Sequence, residues 1–187
     1  MGEQLYRAHV LTCAGTGCGA SGSRRVLAAL EDEVRRQGLG SEVSVLPTGC
    51  RGFCAMGPIV IIYPDGVFYC RVGESDVHDI VSETLLKGRV VNRLLYSEPA
   101  SVGALPYYDE IPFYSKQLRI ALRNCGFINP DDINEYIARD GYEALGRALV
   151  EQSPEWVIDC IKQSGLRGRG GAGFPTALKW ELARRSP

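Results

Sequence analysis

The chain has 187 residues, 45% of them hydrophobic, a formal net charge of −1 and seven cysteines. That length suits one domain or two small ones of ordinary globular composition, and the near-zero charge excludes a strongly basic nucleic-acid or membrane-surface binder. Without a run of about 18 apolar residues, or a basic-then-apolar start in Met1–Arg7, the cysteines are expected to stay reduced, in the cytoplasm.

Ala8–Thr12 reads as a short strand ending at Cys13, followed by a glycine-rich loop that carries Cys18. Glycines there let the backbone approach a bound group closely and aim N–H groups at sulfur. Ser21 or Ser23 is expected to cap a helix bearing Val26, Leu27, Leu30 and Val34 at helical spacing, ended by Gly38 and Gly40. Val43–Leu46 is a second strand and leads to Cys50 and Cys54. Ile59–Tyr63 is a continuous apolar run, expected as a buried strand. Pro64-Asp65-Gly66 forms a turn, with Pro presetting φ and Gly permitting positive φ. Val67–Val72 completes the hairpin, and a helix from Ser75 carries Val77, Ile80, Val81 and Leu85 to Gly88.

The chemistry sits in Cys13-x4-Cys18 and Cys50-x3-Cys54. Four thiolates from two loops suit a soft metal centre: a [2Fe–2S] cluster or a structural tetrahedral zinc, with a disulfide framework as a third possibility. A thiol–disulfide oxidoreductase would need Cys-x-x-Cys, which is missing. Cys70 is expected as a half-buried filler within its strand, Cys125 and Cys160 as structural, and His9 and His78 as isolated from any ligand pair.

The order β-α-β-β-β-α, with both cysteine pairs after strands, resembles the thioredoxin-like [2Fe–2S] ferredoxins, an α/β fold. The resemblance rests on Cys13, Cys18, Cys50, Cys54 and the run Gly57–Tyr69, and covers residues 1–88. It implies that these cysteines hold the cluster, two per iron. Arg51, between two of them, would help offset the anionic charge of the cluster.

Residues 89–110 read as a linker and 111–164 as an all-helical packing module. Its expected helices are Ser115 to about Cys125 ended by Gly126, one started by Asn129-Pro130-Asp131-Asp132, one bearing Tyr142, Leu145 and Leu149, and one capped by Ser153 with Pro154 in its first turn.

Residues 165–187 carry five basic side chains and one acidic. Gly168, Gly170 and Gly173 satisfy a GxGxxG pattern, but after a helix and not a strand, so a Rossmann site is not expected. Exposed glycine N–H groups ahead of a helix, with Arg167, Arg169 and Lys179, favour an anion all the same.

The string Ser164–Trp180 resembles the flavin-site motif of the NADH-oxidising flavoprotein subunits of respiratory complex I and of NAD-linked, electron-bifurcating hydrogenases, as do Phe113–Gln117, Glu135–Ala138 and Gly141–Leu145 upstream. That resemblance implies that Gly168, Arg169, Gly170, Gly171, Ala172 and Gly173 cradle FMN, that Lys179 contacts its phosphate and that Phe174 lies near NADH. Ala177 stands where the family usually has Gly. A fused ferredoxin domain is similar to the hydrogenase version.

The chain is expected to be a truncated flavoprotein subunit, inactive alone, with no catalytic residue of its own. Its parent would pass electrons from NADH through FMN to iron–sulfur subunits of a hydrogenase or NADH dehydrogenase complex, with a ferredoxin as a further partner and no membrane insertion. The alternative is a self-contained [2Fe–2S] electron carrier with a helical docking module.

Overall fold

The computed structural model describes residues 6–97 and 103–186. Residues 1–5, 187 and 98–102, the middle of the expected linker, lie outside the described residues. The chain divides into two compact units, Met1–Tyr136 and Ile137–Pro187.

The first unit is built on a four-stranded sheet of order β2-β1-β3-β4: β1 (Ala8–Cys13), β2 (Val43–Thr48), β3 (Val60–Tyr63) and β4 (Val67–Tyr69). β1 and β2 pair in parallel, from Ala8↔Val43 to Cys13↔Thr48. β3 and β4 add antiparallel. Pro47 is tolerated because β2 is an edge strand.

Alternate strand residues face two different cores. Val10, Val60, Ile62, Val67 and Tyr69 pack with Val26, Leu30 and Val34 of helix α2 (Ser23–Arg36) and with Val77, Ile80 and Leu85. Ile59, Ile61, Phe68 and Cys70 turn the other way, toward Cys13, Cys18, Ile111 and Tyr114. Burial on both faces is why this hairpin reads as continuous apolar sequence and not as alternation.

Local chemistry differs from expectation in places. The first cysteine loop contains a short helix, α1 (Thr16–Ala20), with Cys18 on its buried side. Gly22, in the left-handed region (φ 96°), caps α2 without a side-chain bond. Neither expected serine does so: Ser21 Oγ donates to Gly17 O at 3.1 Å, and Ser23 Oγ is buried without a partner. Gly38 (φ 73°) ends α2, its N–H donating to Arg35 O. The last helix of the expected domain opens with a 3₁₀ turn, Glu74–Asp76, where Gly73 N donates to Asp76 Oδ2 at 2.8 Å. It continues as α3 (Val77–Asp79) and a wider π-wound stretch, Ile80–Leu85.

The stretch expected as a linker packs against β4 over its described parts. Cys70 N donates to Leu94 O, Phe68 N to Pro106 O and Tyr108 N to Gly66 O. Val91 and Leu94 are buried, and Val91 N donates to the Tyr69 hydroxyl at 3.0 Å. These contacts satisfy an edge that would otherwise be open for pairing. β5 (Tyr96–Ser97) and β6 (Ala104–Leu105) form a small antiparallel pair. Cys70 is buried just beyond β4 and is no strand residue.

The expected helix over Ser115–Cys125 is also corrected. Only α4 (Pro112–Ser115) forms, followed by turns. Leu118 and Leu122, its would-be apolar face, are 88% and 58% exposed. A short helix with no face to bury has little to stabilise it, and Leu118, Ile120 and Leu122 alternate at period two instead. α5 (Ile133–Ile137) follows Asx turns at Asn129 and Asp132.

The second unit contains α6 (Glu143–Glu151), α7 (Pro154–Gln163) and α8 (Thr176–Arg184). Ser153 caps α7 by accepting from Trp156 N at 3.2 Å, with Pro154 in the first turn. α7 and α8 are tied by Lys162–Glu181 at 3.5 Å and by Arg184–Glu155. Among the described residues, no helix is long and apolar enough to cross a membrane.

Candidate metal centre

Parallel pairing makes the site. β1 and β2 end at the same edge of the sheet, so the loops that follow them meet there. Cys13 closes β1, its N–H donating to Ile59 O, and Ala14 N donates to Thr48 O across the strand ends. Cys50 follows Thr48 by two residues, and Cys54 opens a 3₁₀ turn, Cys54–Met56. The structure brings all four sequence-predicted cysteines into one neighbourhood: Cys18 hydrogen-bonds Cys13, Cys54 hydrogen-bonds Cys50, and Cys54 feels both Cys13 and Cys18. Cys13 and Cys18 are each 1% exposed, whereas Cys50 and Cys54 are open to solvent. None of the seven cysteines is in a disulfide.

Glycines line the thiols closely. A Cβ on Gly57 would lie 2.6 Å from Cys18 Sγ, one on Gly15 2.9 Å from Cys50 Cβ, and one on Gly17 3.1 Å from Cys54 Sγ. Side chains are absent where the sulfurs need space, and Gly52 N donates to Cys50 Sγ at 3.3 Å. Burial first, then the Cys13 thiol, pushes Cys18 up to about 12, and the Cys50 thiol raises Cys54. Crowded thiols of this kind hold their protons until a cation replaces them. The donor set and the cradle therefore fit a thiolate-ligated metal group. Gly57 is the part that sequence reasoning left unassigned; its signal was the Gly-Pro pair just past Cys54.

Cys70 lies outside this set. Burial raises its thiol to about 12, which suits a protonated core residue.

Beside the site, the second cysteine loop is covered by rings. Phe53 stacks on Phe113 with centroids 4.6 Å apart and meets Tyr114 edge-on at 5.8 Å. Tyr108 lies 4.2 Å from Tyr114 and 5.8 Å from Phe127. Most of these rings come from beyond residue 88, from a segment whose local pattern carries no sign that it belongs here.

In the second unit, the glycine loop closes on itself. Gly168 N donates to Phe174 O at 2.9 Å and Thr176 N to Leu166 O at 3.1 Å. Arg167 Nε donates to Gly173 O and Arg169 Nη1 to Arg167 O, both at 2.6 Å. The two arginines thus brace their own loop. Gly168, Arg169, Gly170, Gly171, Ala172, Phe174 and Lys179 are all exposed, and Gly173 is half-buried. Below the loop is a groove of about 320 Å³ lined by Ile161, Lys162, Leu166, Arg167, Pro175 and Glu181.

A mixed sheet with helices on one face and a four-cysteine end defines a ferredoxin module of the thioredoxin-like type. The chain belongs to the thioredoxin-like [2Fe–2S] ferredoxin family, whose sequence profile matches residues 3–85. The [2Fe–2S] ferredoxin of Clostridium pasteurianum is 42% identical over 77 residues, 41% of this chain and 76% of that one.

Longer relatives match as well. The NADP-reducing hydrogenase subunit HndC of Solidesulfovibrio fructosivorans is 62% identical over 68 residues, 36% of this chain. An NADH-quinone oxidoreductase subunit of Aquifex aeolicus is 43% identical over 82 residues, 43% of this chain. The matched stretches span 14% of the first and 19% of the second. These longer relatives are oxidoreductase subunits, in line with the resemblance read from the glycine loop.

Proposed function

We propose that this chain is the electron-relay end of an NADH-linked flavoprotein subunit, with Cys13, Cys18, Cys50 and Cys54 as the ligands of its [2Fe–2S] cluster. The observation that carries this is the meeting of two cysteine loops at one sheet edge, cradled by glycines that a Cβ would obstruct. The thiols hydrogen-bond in two pairs, Cys13 with Cys18 and Cys50 with Cys54, which suits one pair per iron. When bound, such a cluster takes up and gives back single electrons. The chain's own residues hold it, exclude water from the inner pair and leave the outer pair facing solvent, the side from which a redox partner would approach.

The reading extends to FMN, with the loop Gly168, Arg169, Gly170, Gly171, Ala172 and Gly173 around its phosphate, Lys179 as a phosphate contact and Phe174 beside NADH. The braced backbone and the α8 N-terminus support it, as an anion site requires. Its partners would be iron–sulfur subunits of a hydrogenase or NADH dehydrogenase complex, or a ferredoxin, in a reducing cytoplasm. Residues 1–88 would form the relay, 89–110 a connection packed on its edge strand, 111–164 a region helical at α4, α5, α6 and α7, and 165–187 the first flavin element. Because the loop is exposed, it supplies one wall only, and residues 1–187 alone should bind FMN weakly; sub-micromolar binding in a fluorescence-quenching titration would contradict this.

The decisive experiment is an anaerobic preparation followed by iron analysis and low-temperature EPR after dithionite. A brown protein with two irons and a rhombic signal is expected. A colourless protein, iron-free even after reconstitution, would remove the cluster.

A further inference from the structure

We propose that Arg51 is the built-in counter-charge of the metal centre, raising its reduction potential. This rests on the cysteine-ligated cluster proposed above. Arg51 is 2% exposed, yet it follows Cys50 directly and precedes Cys54 by three residues. Its guanidinium lies over Tyr108 and Phe127, 5.5 and 5.2 Å from their centroids. One nitrogen, Nη2, donates to Gly126 O, and the guanidinium also hydrogen-bonds the Tyr63 side chain. Nε and Nη1 are buried without a hydrogen-bond partner. Among the described residues, no carboxylate forms an ion pair with Arg51.

A buried, unpaired cation is costly, and proteins retain one where it has an anion to meet. The ring faces offset part of that cost, but two donors stay unused. The anion that Cys50 and Cys54, on either side of Arg51 in the chain, would help to assemble is the cluster with its four thiolates, and one-electron reduction makes it more negative still. A fixed positive charge at this place favours the reduced form over the oxidised one. The chain also keeps the place clear: Gly126 has φ 87°, and a Cβ on it would come 2.7 Å from Arg51 Cγ. Gly49 lies against the same turn, its Cβ position 3.9 Å from Gly126 N. The arginine is thus held between the cysteine loop and a segment from outside residues 3–85, the matched ferredoxin region.

The test uses the full chain with Arg51→Met and Arg51→Lys. In loaded protein, Arg51→Met should shift the one-electron reduction equilibrium about tenfold toward the oxidised form, about 59 mV downward, while Arg51→Lys keeps most of the wild-type potential. Melting of the iron-free proteins gives a second readout. Iron-free Arg51→Met should melt no lower than iron-free wild type, because the unpaired charge is gone, whereas loaded Arg51→Met should melt below loaded wild type.

Equal potentials in loaded Arg51→Met and wild type would overturn the proposal. So would an equal loss of melting temperature with and without iron, the mark of a purely structural arginine. Should Arg51→Met take up no iron, the iron-free comparison still decides. An iron-free wild type would instead remove the cluster reading beneath.

Discussion

The two glycine-rich regions use glycine for opposite reasons. At the cysteine site, Gly15, Gly17 and Gly57 are small because sulfur and backbone press on them. In the loop of the second unit, Gly170 and Gly171 face open space on the Cβ side, and the conformation is held by Arg167, Arg169 and backbone bonds. In the first region glycine lets the backbone close on the thiols. The second is a braced rim with one side open. A run of glycines therefore says little by itself; what surrounds each position decides its meaning.

The largest expected effect separates the inner from the outer cysteines. Cys13→Ser or Cys18→Ser puts a harder, poorer ligand at a buried position and should leave the protein without iron by colorimetric assay. Cys50→Ser or Cys54→Ser, at solvent-open positions, should retain a cluster with altered absorption. Equal loss from all four would break the distinction between a sealed and an open side.

A smaller effect compares glycines directly. Gly57→Ala forces a methyl group to 2.6 Å from Cys18 Sγ, an overpacking that typically costs about 1–3 kcal/mol, and should also lower iron content. Gly170→Ala meets nothing within 4 Å and should stay within about 0.5 kcal/mol of wild type, as surface changes do. Thermal denaturation of both variants checks this, and a destabilised Gly170→Ala would erase the contrast.

The smallest effect is on α2, away from either region. Glu33 is held down to about 2, first by Arg36 and then by Gln37, with His78 also contributing; its carboxylate accepts from Arg36 at 2.6 Å and His78 at 2.9 Å. A carboxyl depressed on folding adds stability above its unfolded value near 4.5 and loses it as pH falls toward about 2. Iron-free wild type should therefore show an acid-dependent drop in melting temperature across that window that Glu33→Gln reduces. Parallel curves would assign the drop to other carboxylates.

Much of the first unit is legible in the sequence because its signals are local. The cysteine spacing, the periodicity of α2, the continuous run Ile59–Tyr63 and the Pro-Asp-Gly turn each fix a piece without help from the rest, and Gly66 does sit at φ 74°. What escapes is long-range. Nothing near Val91 or Leu94 announces that they seal β4, and nothing near Tyr108 or Phe127 that they receive Arg51. Residues 115–125 mislead because lysine, arginine and leucine suit a helix locally, while the alternation of Leu118, Ile120 and Leu122 points elsewhere. At α2 the serines look like caps, but a left-handed Gly22 takes that place, a choice that composition leaves undetermined. In the candidate site, the thiols are readable and the cradle only partly so, since Gly57 acts on Cys18 through space.

The register of β1 on β2 has a consequence in time. Cys13 stands opposite Thr48, partners separated by 35 positions of chain, and a slip of one residue turns every side chain of a strand to the opposite face. Until that pairing is correct, the two thiol pairs belong to unrelated stretches of polypeptide. Colour from a bound cluster would then report more than metal content: during biosynthesis it would mark the moment at which the two parallel strands have found their proper alignment.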